Sequence, residues 1–119
     1  MKELKSLLPH PPIEKKAFSC LDAPNFKSHL VKSRPQIILC GLETHICILQ
    51  TALALKALGK EVFVAEDATL SRTNLNHQNA IHRLRSEGVV ITNVESVIFE
   101  WLRVAQGDHF KAIAKLIKS

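Results

Sequence analysis

The apolar positions of this chain fall into short continuous runs alternating with longer stretches of helical spacing. Residues 36–40 (QIILC) form an apolar run of strand type that begins after Pro35 and stops at Gly41. Residues 61–65 (EVFVA) and 89–92 (VVIT) are runs of the same kind. Between them the period lengthens. Residues 44–58 are apolar on most sides, which predicts a buried helix with Gly59 as its C-terminal stop. Residues 74–87 predict a second helix, closed by Gly88, and residues 94–104 a third, with Val94, Val97, Ile98, Trp101 and Leu102 at helical spacing. Asp108 caps a last helix, 110–118, whose apolar face is Phe110, Ile113, Ala114 and Ile117.

The first third is less regular. Residues 2–8 predict a short helix, ended by Pro9 and the Pro11-Pro12 pair. Residues 13–16 fit an edge strand or a loop. Residues 24–33 predict a helix with Phe26, Leu30 and Val31 on one side, and 66–72 a polar loop. Strands alternating with helices predict an α/β fold, a parallel sheet with flanking helices. Reactive groups in such sheets collect at the C-terminal ends of the strands. Here those ends are 41–47, 67–72 and 92–93. No linker divides the chain, so residues 1–119 read as one domain.

Composition narrows the function classes. Apolar residues make up 46% and charged residues 23%, an ordinary globular balance. The net charge is +5, but it is spread along the chain without a run of about five like charges. Aromatics are only 5%, so neither a basic stripe nor a stacking platform marks a nucleic-acid partner. No stretch approaches the length of about 18 apolar residues that would span a membrane. The N-terminus lacks the apolar core of a signal peptide. Cys20, Cys40 and Cys47 are odd in number and match no zinc spacing, which points to free thiols in a reducing, cytoplasmic compartment. The six histidines are scattered, and the four glycines are isolated. No metal, phosphate loop or cofactor is expected.

Cys47 stands about one turn after the end of a strand, at the start of a helix. The partial positive charge and unpaired N–H groups there favour a thiolate, and they can also hold an oxyanion. A small buried residue explains the position equally well. Cys40 ends an apolar strand and reads as core, and Cys20 as an incidental thiol in a loop.

These residues carry a resemblance. Gly41-Leu42-Glu43-Thr44-His45-Ile46-Cys47-Ile48, followed by Leu49-Gln50-Thr51-Ala52, resembles the G-x-x-T-x-x-C motif of the isochorismatase-like cysteine hydrolases. Upstream, Lys15-Lys16-Ala17-Phe18-Ser19 is similar to that family's K-x-x-F/Y-S segment. The strand and acidic loop around Asp67 and the helix 110–118 resemble the isochorismatase-domain-containing branch. The resemblance implies a Rossmann-type three-layer fold and an Asp–Lys–Cys triad that acts on a small amide. Carried over, Cys47 is the nucleophile. Lys15, three residues before Phe18, supports the charge, while Lys16 is out of register. It also implies a cis Leu42–Glu43 peptide, with the Glu43 and Cys47 N–H groups forming an oxyanion hole. Thr44, His45, Asp67, Ser71 and Arg72 are candidate pocket-lining residues; for His45 a plain helix-start role, and for the loop residues a polar loop with a cap, are the competing readings.

The family's aspartate lies on a first strand that has no counterpart here. The resemblance therefore implies an N-terminally incomplete domain lacking the first two strands, with the strand at 36–40 left as an apolar edge. Two functional classes follow. One is a thiolate hydrolase of a small-molecule substrate, impaired by the absent acid. The other is a non-catalytic oligomerisation or regulatory module that keeps the fold. Either is expected to be a homo-oligomer.

Overall fold

The computed structural model describes residues 2–118. Its elements are α1 (Lys2–Leu7), β1 (Gln36–Leu42), α2 (Leu49–Ala57), β2 (Glu61–Leu70), α3 (Asn74–Ser86), β3 (Val90–Thr92), α4 (Val94–Leu102) and α5 (Asp108–Lys118). The three strands form one parallel sheet in the order β1-β2-β3. Successive residues of a strand point to opposite faces, and this places the two helical layers. Val62 and Val64 of β2 meet Ile48, Ala52 and Leu55 below and Ile81, Leu84 and Val89 beside them in one buried cluster. Phe63, between the two valines, faces the other way, toward α4. There Phe99 of α4 packs on Phe110 of α5, with ring centroids 6.2 Å apart.

Helices α2 and α3 end in the same manner. Gly59 and Gly88 adopt φ of +82° and +83°, which an L side chain rarely accepts. The next N–H groups, of Lys60 and Val89, then turn back to the carbonyls of Leu55 and Leu84. At its other end α3 is capped by Thr73, whose hydroxyl accepts from the Asn76 N–H at 3.3 Å. Thr73→Ala is expected to lower stability by about 1 kcal/mol, read as a shift of the urea midpoint at constant slope.

The structure departs from the sequence reading in four places. Residues 24–33 are not a helix: 3-10 turns at Cys20–Asp22 and Lys27–His29 replace it. Asn25 takes φ of +66° and Leu30 turns extended, so no continuous helix passes through either. Of the two forms that residues 13–16 fit, the structure takes the loop. The predicted helix 44–58 is divided. Its first turn, Thr44–Ile48, is π-helical, α2 begins only at Leu49, and the far end at Ala57 and Leu58 is exposed rather than buried.

The loop predicted at 66–72 is instead mostly strand, because β2 runs on to Leu70. While β1 advances from Leu39 to Gly41, β2 advances from Val64 to Thr69, so the intervening residues bulge outward before pairing resumes. Polar residues in a bulge read as a loop from sequence. Lastly, Cys40 is exposed and not core, because the pleat turns it to the open face of β1. On that face Ile38 is 39% and Leu42 66% exposed. β1 is therefore an edge strand whose apolar side chains reach solvent.

Candidate active site

The end of β1 leads through the Leu42–Glu43 peptide, which is cis, into the π-helical turn that carries Cys47. Lys15 reaches this turn from the N-terminal loop. Its Nζ lies 3.5 Å from Cys47 Sγ and donates to the carbonyls of Ala17 and Phe18 at 3.0 Å each. An ammonium has three hydrogens, and three acceptors are in place for them. The arrangement sets a positive group against the sulfur. Cys47 is half-buried and Lys15 exposed.

The other candidate residues hold one another. His45 Nδ1 is 2.8 Å from Ser71 Oγ, and its Nε2 is 3.5 Å from Asn76 Nδ2. Thr44 is fully buried, and its Oγ1 is 2.8 Å from His77 Nδ1. Glu43 Oε1 accepts from the Arg72 backbone N–H at 2.9 Å and from its Nε at 3.1 Å. These bonds stitch the π turn to the end of β2 and the start of α3. Asp67 is held at α4. Its Oδ1 accepts from the Val94 N–H at 2.9 Å, joining Asn93 as a cap on α4.

Three concave regions surround this framework. A cavity of about 590 Å³ at the ends of β2 and β3 is lined by Asp67, Ser71, Arg72, His77 and Asn93. A second, apolar groove of about 400 Å³ runs beside Lys15 and Cys20, between the proline segment and Phe26. The largest, about 630 Å³, lies between Ile38 and Phe63 of the sheet and Val97 and Trp101 of α4, away from the thiol. Asp67, Ser71 and Arg72 thus share one cavity and Lys15 borders another. Among the described residues no group of three or more His, Cys, Asp or Glu is placed to hold a metal ion. No helix there is long and apolar enough to cross a membrane.

The Arg72 backbone N–H is the main influence that holds the Glu43 carboxyl below the usual glutamate range. Desolvation opposes it, and the charges of Arg72 and His45 and the guanidinium hydrogen bond reinforce it. With the folded value depressed, the stabilisation is fully present above the ordinary glutamate range and is lost as pH falls through the lowered value. The urea midpoint of the wild type is expected to exceed that of Glu43→Gln at neutral pH, and the gap to close in acid below that value.

Sequence reasoning did not single out Thr51, Ser19, His77 or Asn76. Thr51 did carry a signal, since it stands one turn after Cys47 on the same helix. His77 and Asn76 reach the π turn from α3, a proximity set only by the tertiary fold.

Comparison with known proteins gives a consistent result. The isochorismatase domain family model matches residues 1–96. A secreted isochorismatase effector, Isc1 of Phytophthora sojae, is 44% identical over 108 residues, covering 88% of this chain and 51% of that protein. The structure of a putative MAR1 ribonuclease from Leishmania major superposes with a TM-score of 0.78 at 32% identity, covering 90% of this chain and 56% of that one. YcaC from Pseudomonas aeruginosa, in a structure with hexane-2,5-diol and covalent acrylamide, gives a TM-score of 0.81 at 26% identity, covering 98% and 64%. The chain spans about half the length of the curated relatives it matches.

Proposed function

This chain belongs to the isochorismatase family, and on that footing we propose that it is a cysteine hydrolase module acting on a small amide through Cys47. The observation that carries the reading is the Lys15 ammonium 3.5 Å from the Cys47 sulfur, at the C-terminal end of a parallel strand. In the proposed reaction the thiolate attacks the amide carbon, and the carbonyl π electrons move onto oxygen. The Glu43 and Cys47 N–H groups receive that oxyanion. Lys15 supports the charge at sulfur. The C–N bond then breaks, the nitrogen takes a proton from solvent water and leaves as ammonia or an amine, and a thioester remains. Water hydrolyses the thioester to the acid and returns the thiol. Ser71 and Arg72 line the neighbouring cavity, while His45 and the buried Thr44 line none of the cavities described and instead hold the π turn. No cofactor enters this scheme.

One observation favours a second reading. No carboxylate among the described residues pairs with Lys15, whose acceptors are two carbonyls and the sulfur. A non-catalytic module that retains the thiol and assembles through the open edge of β1 fits that arrangement, and a homo-oligomer in the cytoplasm is proposed under either reading. The ribonuclease name belongs to the Leishmania major protein. Here the basic residues form no run, and the Lys–Cys pair suits a carbonyl centre.

The test uses acrylamide, a small amide that adds to thiols. Peptide mapping after brief treatment should find Cys47 labelled well ahead of Cys20 and of the exposed Cys40. Ammonia release from a panel of small primary amides then separates the readings: turnover supports the hydrolase, and labelling without turnover supports the module. Equal labelling of all three cysteines would refute the activated thiol and with it the hydrolase reading.

A further inference from the structure

Lys15 has no rigid element of its own, since residues 13–18 are irregular loop. Something must hold its ammonium at the sulfur. Two of its three acceptors are carbonyls of its own loop, Ala17 and Phe18, so the loop folds around the ammonium without being fixed by it. Just beyond them the chain becomes ordered. Ser19 is buried and its hydroxyl accepts from the Leu21 N–H, opening the 3-10 turn at Cys20–Asp22. At that point the Cys20 N–H donates to Thr51 Oγ1 at 2.9 Å. Thr51 is 2% exposed and lies on α2, one turn past Cys47. Apart from the Lys15–Cys47 contact, this is the one hydrogen bond among the described residues that joins residues 13–23 to the helix of the nucleophile.

We infer that Thr51 is a positioning residue: its hydroxyl pins the backbone at Cys20, and through the Ala17 and Phe18 carbonyls this sets the Lys15 ammonium against the Cys47 sulfur. The assignment rests on the reading of Lys15 and Cys47 given above. It closes a ring that starts at Cys47, passes through Lys15 and the carbonyls to Cys20, and returns through Thr51 to the helix of Cys47. The helix that presents the thiol thus also fixes the distance of its counter-charge. A threonine fits because its methyl fills buried space while its oxygen accepts the bond.

The test measures, on the full chain, the charge beside the sulfur. Iodoacetate is an anion and iodoacetamide is neutral, so the ratio of their rates at one thiol reports a neighbouring cation. Peptide mapping gives that ratio for Cys47 and, as an internal reference, for the exposed Cys40. In the wild type the ratio at Cys47 should exceed that at Cys40 by about fivefold, the attraction of unit charges about 4 Å apart in water. Lys15→Met should abolish the excess. Thr51→Val, which keeps the shape and loses the acceptor, should remove most of it, and Thr51→Ser should restore it.

Cys20→Pro deletes the donor of the same bond. Ser19, at φ −71° and ψ 134°, already has the conformation required before proline, and Cys20 is the first residue of its turn. This variant should match Thr51→Val, and the double variant should lose no more than either. Should Thr51→Val fail to fold by circular dichroism, Cys20→Pro carries the test. An unchanged excess in both single variants, or additive losses in the double, would overturn the role of Thr51 while leaving the Lys15–Cys47 pair intact. The absence of any excess in the wild type would instead overturn the pair itself.

Discussion

Cys47→Ser is expected to abolish rapid acrylamide addition and to cut any amide turnover by about a thousandfold or more. A hydroxyl is a weak nucleophile unless a base takes its proton, whereas a thiolate attacks directly. Among the described residues the only side chain in hydrogen-bonding contact with Cys47 is Lys15, whose hydrogens already have three acceptors. Serine therefore gains no base in this position. The substitution is nearly isosteric at a half-buried site, so the fold should survive, and circular dichroism with the urea midpoint checks that it has. Labelling at Cys20 and Cys40 should not change. Retention of amide turnover by the serine variant would show that hydrolysis proceeds elsewhere in the molecule.

The largest expected effect on stability comes from Leu84→Ala, at about 2–5 kcal/mol. Leu84 is 0% exposed, it packs in the cluster with Leu55, Val62 and Val89, and its carbonyl accepts the bond that closes α3. The truncation leaves a cavity bounded by a strand and two helices, none of which can collapse without breaking the sheet. Domains of this kind are stable by about 5–15 kcal/mol, so the loss is a large share of the total. Urea denaturation should show a lower midpoint with an unchanged slope. Leu75→Ala, on the same helix but 80% exposed, should stay within about 0.5 kcal/mol and serves as the control. Similar losses for both would mean that α3 does not pack as described.

The contrast between these two leucines shows what the sequence made legible. The sequence places a helix at 74–87 without assigning its faces, and in the structure Ala80, Ile81 and Leu84, at helical spacing, form its buried side. The three apolar runs became the three strands, and the polar–apolar switches placed α3, α4 and α5. Cys47 and Lys15 were named from a motif and a segment 32 residues apart, and the structure sets them within 3.5 Å. What could not be read was decided by contacts distant in sequence. The β2 bulge exists because β1 pairs again at Gly41 and Leu42, and no local pattern in 66–70 encodes that. The helix expected at 24–33 failed at Asn25 and Leu30, where the chain turns to lay Leu30 on the core. Asp67 was placed at the right strand end, but capping α4 depends on where that helix begins.

The π turn at Thr44–Ile48 has a consequence for how this chain can vary. Such a turn amounts to one residue inserted into an α-helix, so its length sets the rotational phase of every side chain before α2. Deleting a single residue there would restore α geometry and turn the preceding positions by about 100°. The thiol would swing away from Lys15 even though no residue of the motif had been exchanged. Within the family, then, the segment between Gly41 and Thr51 should tolerate changes of residue far better than changes of length. A homologue with a one-residue gap there should be suspected of inactivity even when its cysteine is present.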